Sequence, residues 1–442
     1  MLNKKFMTLG FLSTATAIGL LLSPSLFAGT PTLKTVKKPA TEASRLEALA
    51  KFTKVLDIVE QYNVDDVTLN ELVDKSLQGL MTNLDAHSAF MNKKSFDSLK
   101  VQTDGEFGGL GITVGMKDGA LTVIAPMEGT PADKVGIKAE DIILKINDKS
   151  TLNMTIDDAV SIMRGDVGTP IDITVVRKSE TKPLHFHIIR GKIDIQSVYT
   201  KQIDDSILYI RVTSFDKKVV EGVKKAINQY KNKDKGIILD LRNNPGGLLD
   251  QAVGLVDLFV DKGVIVSQKG RSESENKTYN ASSSSTITKM PMVVLINAGS
   301  ASASEIVSGA LQDHKRAVLV GTKSFGKGSV QVVLPISEEE AIKLTIARYY
   351  LPSGRTIQAV GVTPDIEVNE GEIKANDNND FAIKEADLKQ HLEKELQKDS
   401  GKAEETKEKQ KDDTIITKEQ MYKDIQLKEA FGILKALIIT KG

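Results

Sequence analysis

Residues 236–247 read Gly236-Ile237-Ile238-Leu239-Asp240-Leu241-Arg242-Asn243-Asn244-Pro245-Gly246-Gly247, an almost wholly apolar run followed by a polar turn. An apolar run without polar alternation predicts a strand that is buried on both faces. Similar runs alternate with stretches of helical period over residues 191–370. We therefore predict a sheet with helices on both faces. Its strands are predicted at 206–212, 236–240, 292–297 and 317–321, and its helices at 217–230, 248–259 and 302–312.

Two segments that follow these strands carry groups suited to catalysis, and ligand sites lie beyond the carboxyl ends of strands in such sheets. They are Gly299-Ser300-Ala301-Ser302-Ala303-Ser304-Glu305 and Phe325-Gly326-Lys327-Gly328. A hydroxyl nucleophile needs a base at neutral pH, and a lysine whose pKa is lowered by burial can be that base. If the two segments meet in space, the chain is a hydrolase with a Ser-Lys dyad.

Ser302 has a purely structural interpretation as well as a catalytic one. Glu305 stands three residues later, just before an apolar pair, and this spacing is a capping box. A serine at a helix start also lies beside free backbone N–H groups, which can hold the oxyanion of a tetrahedral intermediate. We predict Ala303 as the first donor and Gly246 or Gly247 as the second, because glycine lets a substrate approach the backbone.

Lys327 has a competing interpretation as a nucleotide-binding residue. The run from Gly321 to Lys327 matches a P-loop, but Gly328 replaces the Ser or Thr that would bind Mg²⁺. The next residues are β-branched and predict a strand, whereas phosphate needs a helix N-terminus. Gln331 can orient Lys327 only if the chain bends at Gly328, since a straight strand would separate them by more than about 12 Å. Otherwise Gln331 is an ordinary strand residue.

His314 is the one histidine that invites a Ser-His interpretation. It lies at the far end of the helix that Ser302 begins, about 18 Å away along the axis. A side chain cannot bridge that distance, so we interpret His314 as a helix-ending residue near the negative end of the dipole.

Residues 105–190 contain short predicted strands and a glycine loop, and we expect a small, partly open barrel. Successive N–H groups in Gly109-Leu110-Gly111-Ile112 can bind a peptide's terminal carboxylate while the strand edge pairs with the peptide. Ile112 and a helix that carries Ile156, Val160 and Met163 would form an apolar pocket for the last side chain. A plain turn is an equally good interpretation of this loop.

Composition limits the classes of partner and cofactor. The chain has 442 residues, a formal net charge of zero and no cysteine. Nothing in this balance indicates nucleic acid, and thiol catalysis is excluded. We predict no metal and no cofactor. Lys4 and Lys5 precede an uncharged run that ends near Ala28, which predicts either a bacterial export signal or an uncleaved membrane anchor. The rest of the chain should then lie outside the cytoplasm, in the periplasm or cell envelope.

The ends of the chain are predicted to be helical. Two apolar stripes of helical period lie between residues 41 and 100, and another covers 419–439 after a charged segment at 371–420. Short amphipathic helices bury little surface alone, so we expect both ends to dock on another surface, the last helix on a partner. The predicted organisation is 1–28 signal or anchor, 29–100 linker and helices, 101–190 small barrel, 191–370 core with the Ser and Lys segments, and 371–442 charged linker and helix.

Taken in order, these segments make the chain resemble a carboxy-terminal processing peptidase, or tail-specific protease, from about residue 43 to 368. The matching pieces run from Leu84-Asp85-Ala86-His87-Ser88 through the glycine loop, Thr130–Ile137, Ile162-Met163-Arg164-Gly165 and the segments quoted above to Pro352–Gln358 and Gly361–Ile366. Ala86 and Ala359 depart from the family's usual proline and glycine.

The resemblance implies an α+β multidomain fold in which a PDZ domain is inserted before a crotonase-like protease core with helical flanks. It implies that Ser302 is the nucleophile, Lys327 the general base and Gln331 the residue that orients the lysine. Arg164 matches a regulatory arginine that couples the PDZ domain to the core. Expected partners are protein substrates with apolar C-terminal tails, further copies of the chain through the terminal helices, and an adaptor protein. The alternative from another class is a non-catalytic PDZ scaffold.

Overall fold

The computed structural model of the chain describes residues 41–230, 235–372 and 414–441. Its helices are α1 Glu42–Tyr62, α2 Leu69–Thr82, α3 Lys93–Asp104, α4 Pro131–Lys134, α5 Ile156–Met163, α6 Val219–Tyr230, α7 Leu249–Asp257, α8 Ala303–Asp313, α9 Lys418–Tyr422 and α10 Ile425–Lys441. The strands of the first half are β1 Ala89–Met91, β2 Glu106–Gly109, β3 Ile112–Lys117, β4 Ala120–Pro126, β5 Ile142–Ile146, β6 Lys149–Ser150, β7 Pro170–Val176, β8 Leu184–Ile189 and β9 Gly191–Asp194. Those of the second half are β10 Val198–Ile203, β11 Ile207–Val212, β12 Gly236–Asp240, β13 Lys262–Gly270, β14 Lys277–Ser282, β15 Met292–Ile296, β16 Val318–Gly321, β17 Ser329–Pro335, β18 Ala341–Tyr350 and β19 Ile366–Glu367.

The apolar runs form the sheet that the sequence predicted. Its order is β10-β11-β12-β15-β16-β19, and every neighbouring pair except β10–β11 is parallel. All residues of β12 and β15 are buried. Residues without polar alternation can be accommodated only where both faces of a strand are covered, and this is the position that these two strands take.

Helices α6, α7 and α8 cover one face of this sheet. Side chains from the helices and the strands join in one buried cluster, which includes Leu239, Val294, Ile227, Leu255 and Ile306. The predicted helices at 217–230, 248–259 and 302–312 are therefore present, with ends that differ by at most two residues. Helix α8 begins directly after the turn that follows β15, so its N-terminus lies at the carboxyl edge of the sheet.

The other face of the sheet is covered by the chain's own C-terminal helices. Leu427, Ala430 and Leu434 of α10 join a buried cluster with Ile238 and Val293 of the sheet. The expectation that this helix docks on a partner was wrong, because its apolar face is already occupied by the core. Glycine at 236 permits the close approach, since a Cβ there would lie 2.9 Å from Leu434 Cδ1.

A second sheet carries the segment that follows Lys327. Its order is β1-β18-β13-β14, with β17 paired to β18. The residues between β16 and β17, including Lys327, connect the two sheets. The β17–β18 register shifts between Val330 and Gln331, which pairs with Thr345.

Residues 112–189 form a third sheet in the order β3-β4-β5-β7-β8, with β6 paired to β5. Strand β3 lies at one edge and, within the part of the chain that the structure describes, pairs only with β4, so its other edge is open there. Helix α5 contacts β3 and β5. The chain enters and leaves this region through the antiparallel pair β2–β9.

Described residues 41–74 belong to a compact unit separate from the one that begins at Lys75. Within it, α1 carries an exposed apolar stripe, with Leu46 64% and Leu49 61% exposed. The structure describes no helix that is both long and apolar enough to cross a bilayer. The predicted signal or anchor at 1–28, and most of the charged segment at 371–420, lie outside the described residues.

We predict that Leu434→Ala destabilises the core, because this side chain is fully buried against the sheet. Large-to-small substitutions of this kind lower the free energy of unfolding by about 2–5 kcal/mol. Ile439→Ala on the same helix is the matched control, since Ile439 is 79% exposed. Urea unfolding measures both variants, and equal midpoints for the two would contradict the docking of α10 on its own sheet.

Candidate active site

Ser302 lies at the turn between β15 and α8 in an unusual backbone conformation. Its φ is 54° and its ψ is −110°, a region that costs a non-glycine residue about 1–3 kcal/mol. Within the described residues, the Ser302 hydroxyl donates no hydrogen bond. The neighbouring hydroxyls are committed, because Ser300 Oγ donates to the Leu241 carbonyl and Ser304 Oγ donates to the Asn244 carbonyl. Of these three serines, Ser302 is the one whose hydroxyl is available for chemistry.

Glu305 connects the serine segment to the lysine segment. Its side chain is fully buried, and Oε2 accepts hydrogen bonds of 2.8 Å from the backbone N–H of Ser302 and of Lys327. Oε1 accepts from Ser324 Oγ at 2.6 Å and from Gly326 N–H at 2.7 Å. The sequence predicted only a capping box for Glu305, yet the same carboxylate also holds residues 324–327. The backbones of Ser302 and Lys327 therefore meet at one oxygen atom.

Lys327 is in an environment that favours the neutral amine. Burial, and then the positive charge of Lys343, hold the pKa of Lys327 below its usual value, while Glu305 opposes them. A lysine acts as a general base only when it is deprotonated, so a lowered pKa brings the working form closer to neutral pH. This is the electrostatic property that the sequence analysis required of Lys327.

The predicted oxyanion donors lie beside Ser302. A Cβ on Gly246 would lie 2.9 Å from Ser302 Cβ and 3.0 Å from Ala303 N, so this turn contacts the nucleophile segment directly. Gly246 N–H already donates to Asn244 Oδ1. Within the described chain, the N–H groups of Ala303 and Gly247 have no such partner. Gly247 is therefore a better second donor than Gly246.

Gln331 and Lys327 are close in sequence, but no hydrogen bond joins their side chains in the part of the chain that the structure describes. Gln331 Nε2 donates instead to Ser329 Oγ at 2.8 Å and to Thr345 Oγ1 at 3.3 Å. Ser302 Oγ and Lys327 Nζ are likewise not hydrogen-bonded across the described residues. Catalytic hydrogen bonds are often long before substrate binds.

The loop that contains Asp85 and His87 also reaches this site, although the sequence gave it no chemical role. Burial, and then the positive charge of Lys327, hold the pKa of His87 below its usual value, which places the imidazole near the lysine. Asp85 Oδ1 accepts from Thr345 Oγ1, the residue that also contacts Gln331. Only the aspartate-to-serine spacing of a local turn was visible in the sequence, and nothing there indicated a partner more than 250 residues away.

The residues predicted to bind a peptide tail lie in the segment 109–112 and on helix α5, which contacts β3. Leu110 and Met163 are buried in the core of the third sheet, and Ile112 and Val160 pack partly buried against it. Ile156 is 38% exposed and lies outside this cluster. Gly109-Leu110-Gly111 leads into β3 from strand β2. Gly111 has φ 77°, and a Cβ there would lie 2.3 Å from Thr130 Cβ, so only glycine fits.

Arg164 ends helix α5 and contacts strand β2. Its guanidinium lies 4.6 Å from the centre of the Phe107 ring, a cation–π distance. Phe107 belongs to β2, which pairs with β9 where the chain returns to the core. Arg164 thus connects helix α5 to the β2–β9 pair, through which the chain enters and leaves the third sheet.

Two competing interpretations of the site fail on geometry. Lys327 is followed by strand β17, so the helix N-terminus that a P-loop requires is replaced by extended chain. His314 is the C-cap of α8, and its Nε2 lies 2.7 Å from the Val264 carbonyl oxygen. Both outcomes agree with the sequence predictions.

Known proteins with similar sequences identify the family. A model of peptidase family S41 matches residues 206–368, and a PDZ domain model matches residues 122–177. A carboxy-terminal-processing protease from Bartonella bacilliformis is 39% identical over 428 residues, which cover 95% of this chain and 95% of that protein. This chain belongs to peptidase family S41. The resemblance predicted from the motifs is confirmed.

Other members of the family are similar over somewhat less of their length. The carboxy-terminal processing protease CtpA of Bacillus subtilis is 32% identical over 366 residues, or 82% of this chain and 78% of that protein. The solved structure of the photosystem II D1 C-terminal processing protease has 24% identity and a TM-score of 0.42, and covers 72% of this chain and 92% of that one. By the family models and the curated relatives, the chain is a serine-type S41 peptidase with a PDZ domain.

We predict that Glu305→Gln disrupts both the fold of the site and the activity of the peptidase. The glutamine NH₂ group would face two of the donors that now give hydrogen bonds to the carboxylate. Buried N–H groups would then be left unpaired. Each such group costs about 1–3 kcal/mol, so we expect a loss of about 3 kcal/mol in the free energy of unfolding. Glu221→Gln, at an exposed position in α6, is the control. Wild-type stability and activity in Glu305→Gln would show that the four-donor geometry is dispensable.

We predict that Lys343→Met moves the acid limb of the pH–activity profile to higher pH. The charge of Lys343 disfavours the Lys327 ammonium, so its removal raises the pKa of Lys327 and leaves less neutral amine at a given pH. Lys343→Arg keeps the charge and should leave the limb in place, as should Lys262→Met at an exposed site. Initial cleavage rates at constant ionic strength across pH test this. A limb that moves downward would contradict the assignment.

Proposed function

We propose that this peptidase cleaves flexible proteins after it binds their free, apolar C-terminal tail, and that it uses Ser302 as nucleophile and Lys327 as general base. The observation that supports this most is the Glu305 carboxylate, which accepts from the backbones of both residues. The unbonded Ser302 hydroxyl and the lowered pKa of Lys327 agree with these roles.

In the proposed reaction, Lys327 accepts and donates the protons that are transferred. The neutral amine takes the proton of Ser302 Oγ, and the oxygen attacks the peptide carbonyl carbon. The N–H groups of Ala303 and Gly247 stabilise the oxyanion. The Lys327 ammonium then protonates the leaving nitrogen as the C–N bond breaks. Water gives a proton to Lys327, attacks the acyl-enzyme and releases the new carboxylate, and Ser302 recovers its proton.

Tail binding is proposed for the groove between β3 and α5. The backbone N–H groups of Leu110 and Gly111 make no hydrogen bond within the described residues and can donate to a terminal carboxylate. The open edge of β3 can pair with the backbone of the tail, and Ile112, Val160 and Met163 offer an apolar surface to its last side chain. Ile156 would contact the tail only at the rim. Arg164 is proposed to report occupancy to the core through Phe107.

We also infer the wider organisation from the motifs. We assign the PDZ domain to residues 101–190 and a crotonase-like core to residues 191–370. Helices α9 and α10 are assigned to this core and not to a contact with a partner. The basic and apolar start of the sequence supports export to the periplasm or cell envelope. The exposed stripe on α1 supports self-association through the N-terminal helices. An adaptor protein remains a proposed partner class.

The test uses the purified full chain and an unstructured protein substrate with an apolar tail. Ser302→Ala and Lys327→Ala should each lower the rate by about a thousandfold or more. Ser283→Ala and Lys262→Ala, at exposed positions, are the matched controls. Amidation of the substrate's terminal carboxyl should raise KM strongly, because the groove then loses its charged ligand.

Each outcome has a separate meaning. Cleavage that survives both dyad substitutions would overturn the Ser-Lys mechanism, and a wild type as slow as the variants would favour a PDZ scaffold that only binds tails. Unchanged cleavage of the amidated substrate would remove carboxylate recognition from the role of residues 109–112 while leaving the dyad intact.

A further inference from the structure

A chain of four hydrogen-bonding side chains connects the loop at residues 85–88 to Gln331. Asp85 Oδ1 accepts from Thr345 Oγ1 at 3.1 Å, and Asp85 Oδ2 accepts from Ser88 Oγ at 2.6 Å. Ser88 Oγ in turn accepts from the Thr345 backbone N–H at 3.1 Å. Thr345 Oγ1 is then contacted by Gln331 Nε2 at 3.3 Å. The backbone N–H and the hydroxyl of Thr345 thus both donate to the loop at residues 85–88.

In this series of hydrogen bonds, Asp85 acts only as an acceptor. Its carboxylate accepts from Ser88 Oγ, from two backbone N–H groups and from Thr345. The hydrogen bond from Ser88, which outweighs the opposing effect of burial, is the main cause that lowers the pKa of Asp85 to about 2. Asp85 is therefore ionised throughout the pH range in which a protease works.

The direction of each hydrogen bond in this series follows from the number of hydrogens that each side chain carries. A threonine hydroxyl carries one hydrogen, and Thr345 must spend it on the ionised Asp85. Its oxygen can then only accept, so the end of the Gln331 amide that faces it must be the NH₂ group. Gln331 Oε1 is consequently turned away, and within the described residues no group donates to it.

Gln331 lies on the face of the second sheet that also bears Lys343, the cation that acts on Lys327. Lys343 and Thr345 alternate on β18 and share one face of the strand. Thr345 contacts Gln331 on that face, and Lys343 is the cation that acts on Lys327. His87, two residues from Asp85, lies near Lys327 as well. The lysine is thus approached from the Asp85 loop and from the β18 face together.

We propose that Asp85 and Thr345 are positioning residues that fix the orientation of the Gln331 amide, so that Gln331 Oε1 accepts an N–H of the Lys327 amine. This inference rests on the proposed Ser-Lys mechanism and adds the reason why Gln331 presents its oxygen. An amide turned the other way would donate its N–H to the lone pair of the amine, which is the pair that must take the Ser302 proton. The orientation thus decides whether Lys327 can act as a base.

The test compares Thr345→Val with Thr345→Ser in the full-length peptidase. Valine has the shape of threonine without the hydroxyl, so the Gln331 amide becomes free to turn. We expect kcat to fall about tenfold with little change in KM. The acid limb of the kcat profile should also move to lower pH, because an N–H that donates to the amine stabilises its neutral form. Serine restores the hydroxyl and should restore both the rate and the limb.

Two further measurements separate this role from a structural one. In a Gln331→Ala background, Thr345→Val should cause no further loss of kcat, because the two residues act as one unit. Thr278→Val, at an exposed position on β14, is the matched control for a Thr→Val change in a strand. Thermal unfolding of every variant reports whether the fold is retained.

The proposal is overturned if Thr345→Val and Thr345→Ser have the same rate and pH profile, or if Thr345→Val lowers kcat equally with and without Gln331. A limb that moves upward would also overturn it, since that result indicates altered burial of Lys327 rather than a turned amide. Lys327→Ala in the same series keeps the two hypotheses apart. If Lys327→Ala still cleaves, the dyad itself is wrong. If Lys327→Ala is inactive while Thr345→Val has wild-type activity, only the positioning role of Asp85 and Thr345 is refuted.

Discussion

The buried carboxylate of Glu305 is the constraint on which the rest of this active site depends. A charge without water is tolerated only when its oxygens are fully hydrogen-bonded, and here four donors from two segments supply those bonds. The donors can reach the carboxylate only if the start of α8 and the loop before β17 are adjacent. Satisfying one charge therefore brings Ser302 and Lys327 to the same place.

The same carboxylate creates an electrostatic conflict that the neighbouring residues resolve. Glu305 favours the charged form of Lys327, which would make it useless as a base. Burial and the charge of Lys343 act in the opposite direction and prevail, so the pKa of Lys327 is lowered. Lys343 lies on β18, the strand that also bears Thr345, so the second sheet controls both the charge and the surroundings of the lysine.

The C-terminal segment of the chain also supports the turn beside Ser302. Arg242 opens the Asn-Asn-Pro-Gly-Gly turn and is held by Asp240 within its own segment and by Asp424 before α10. It also donates to Gln426, whose amide donates to the Val368 carbonyl. Because Arg242 is nearly buried, these partners fix the start of the turn that places Gly246 and Gly247 next to Ser302. The helix that covers the sheet thus also helps to hold this glycine turn in place.

The sequence by itself determined the parallel sheet and its three helices, which follow from unbroken apolar runs and helical period. It also offered Ser302 and Lys327 as a candidate dyad, but the choice of Ser302 among three neighbouring serines rested on the family resemblance. Tertiary structure decided what those signals could not contain. The carboxylate of Glu305 looked like half of a capping box until residues 324–327 were seen to donate to it. The apolar stripe of α10 fixed that the helix must dock, but not that its surface is the chain's own sheet. Contacts of Asp85 with Thr345 and of Arg242 with Asp424 join residues far apart in the chain, and a hydrogen bond leaves no periodic trace in the sequence of either partner.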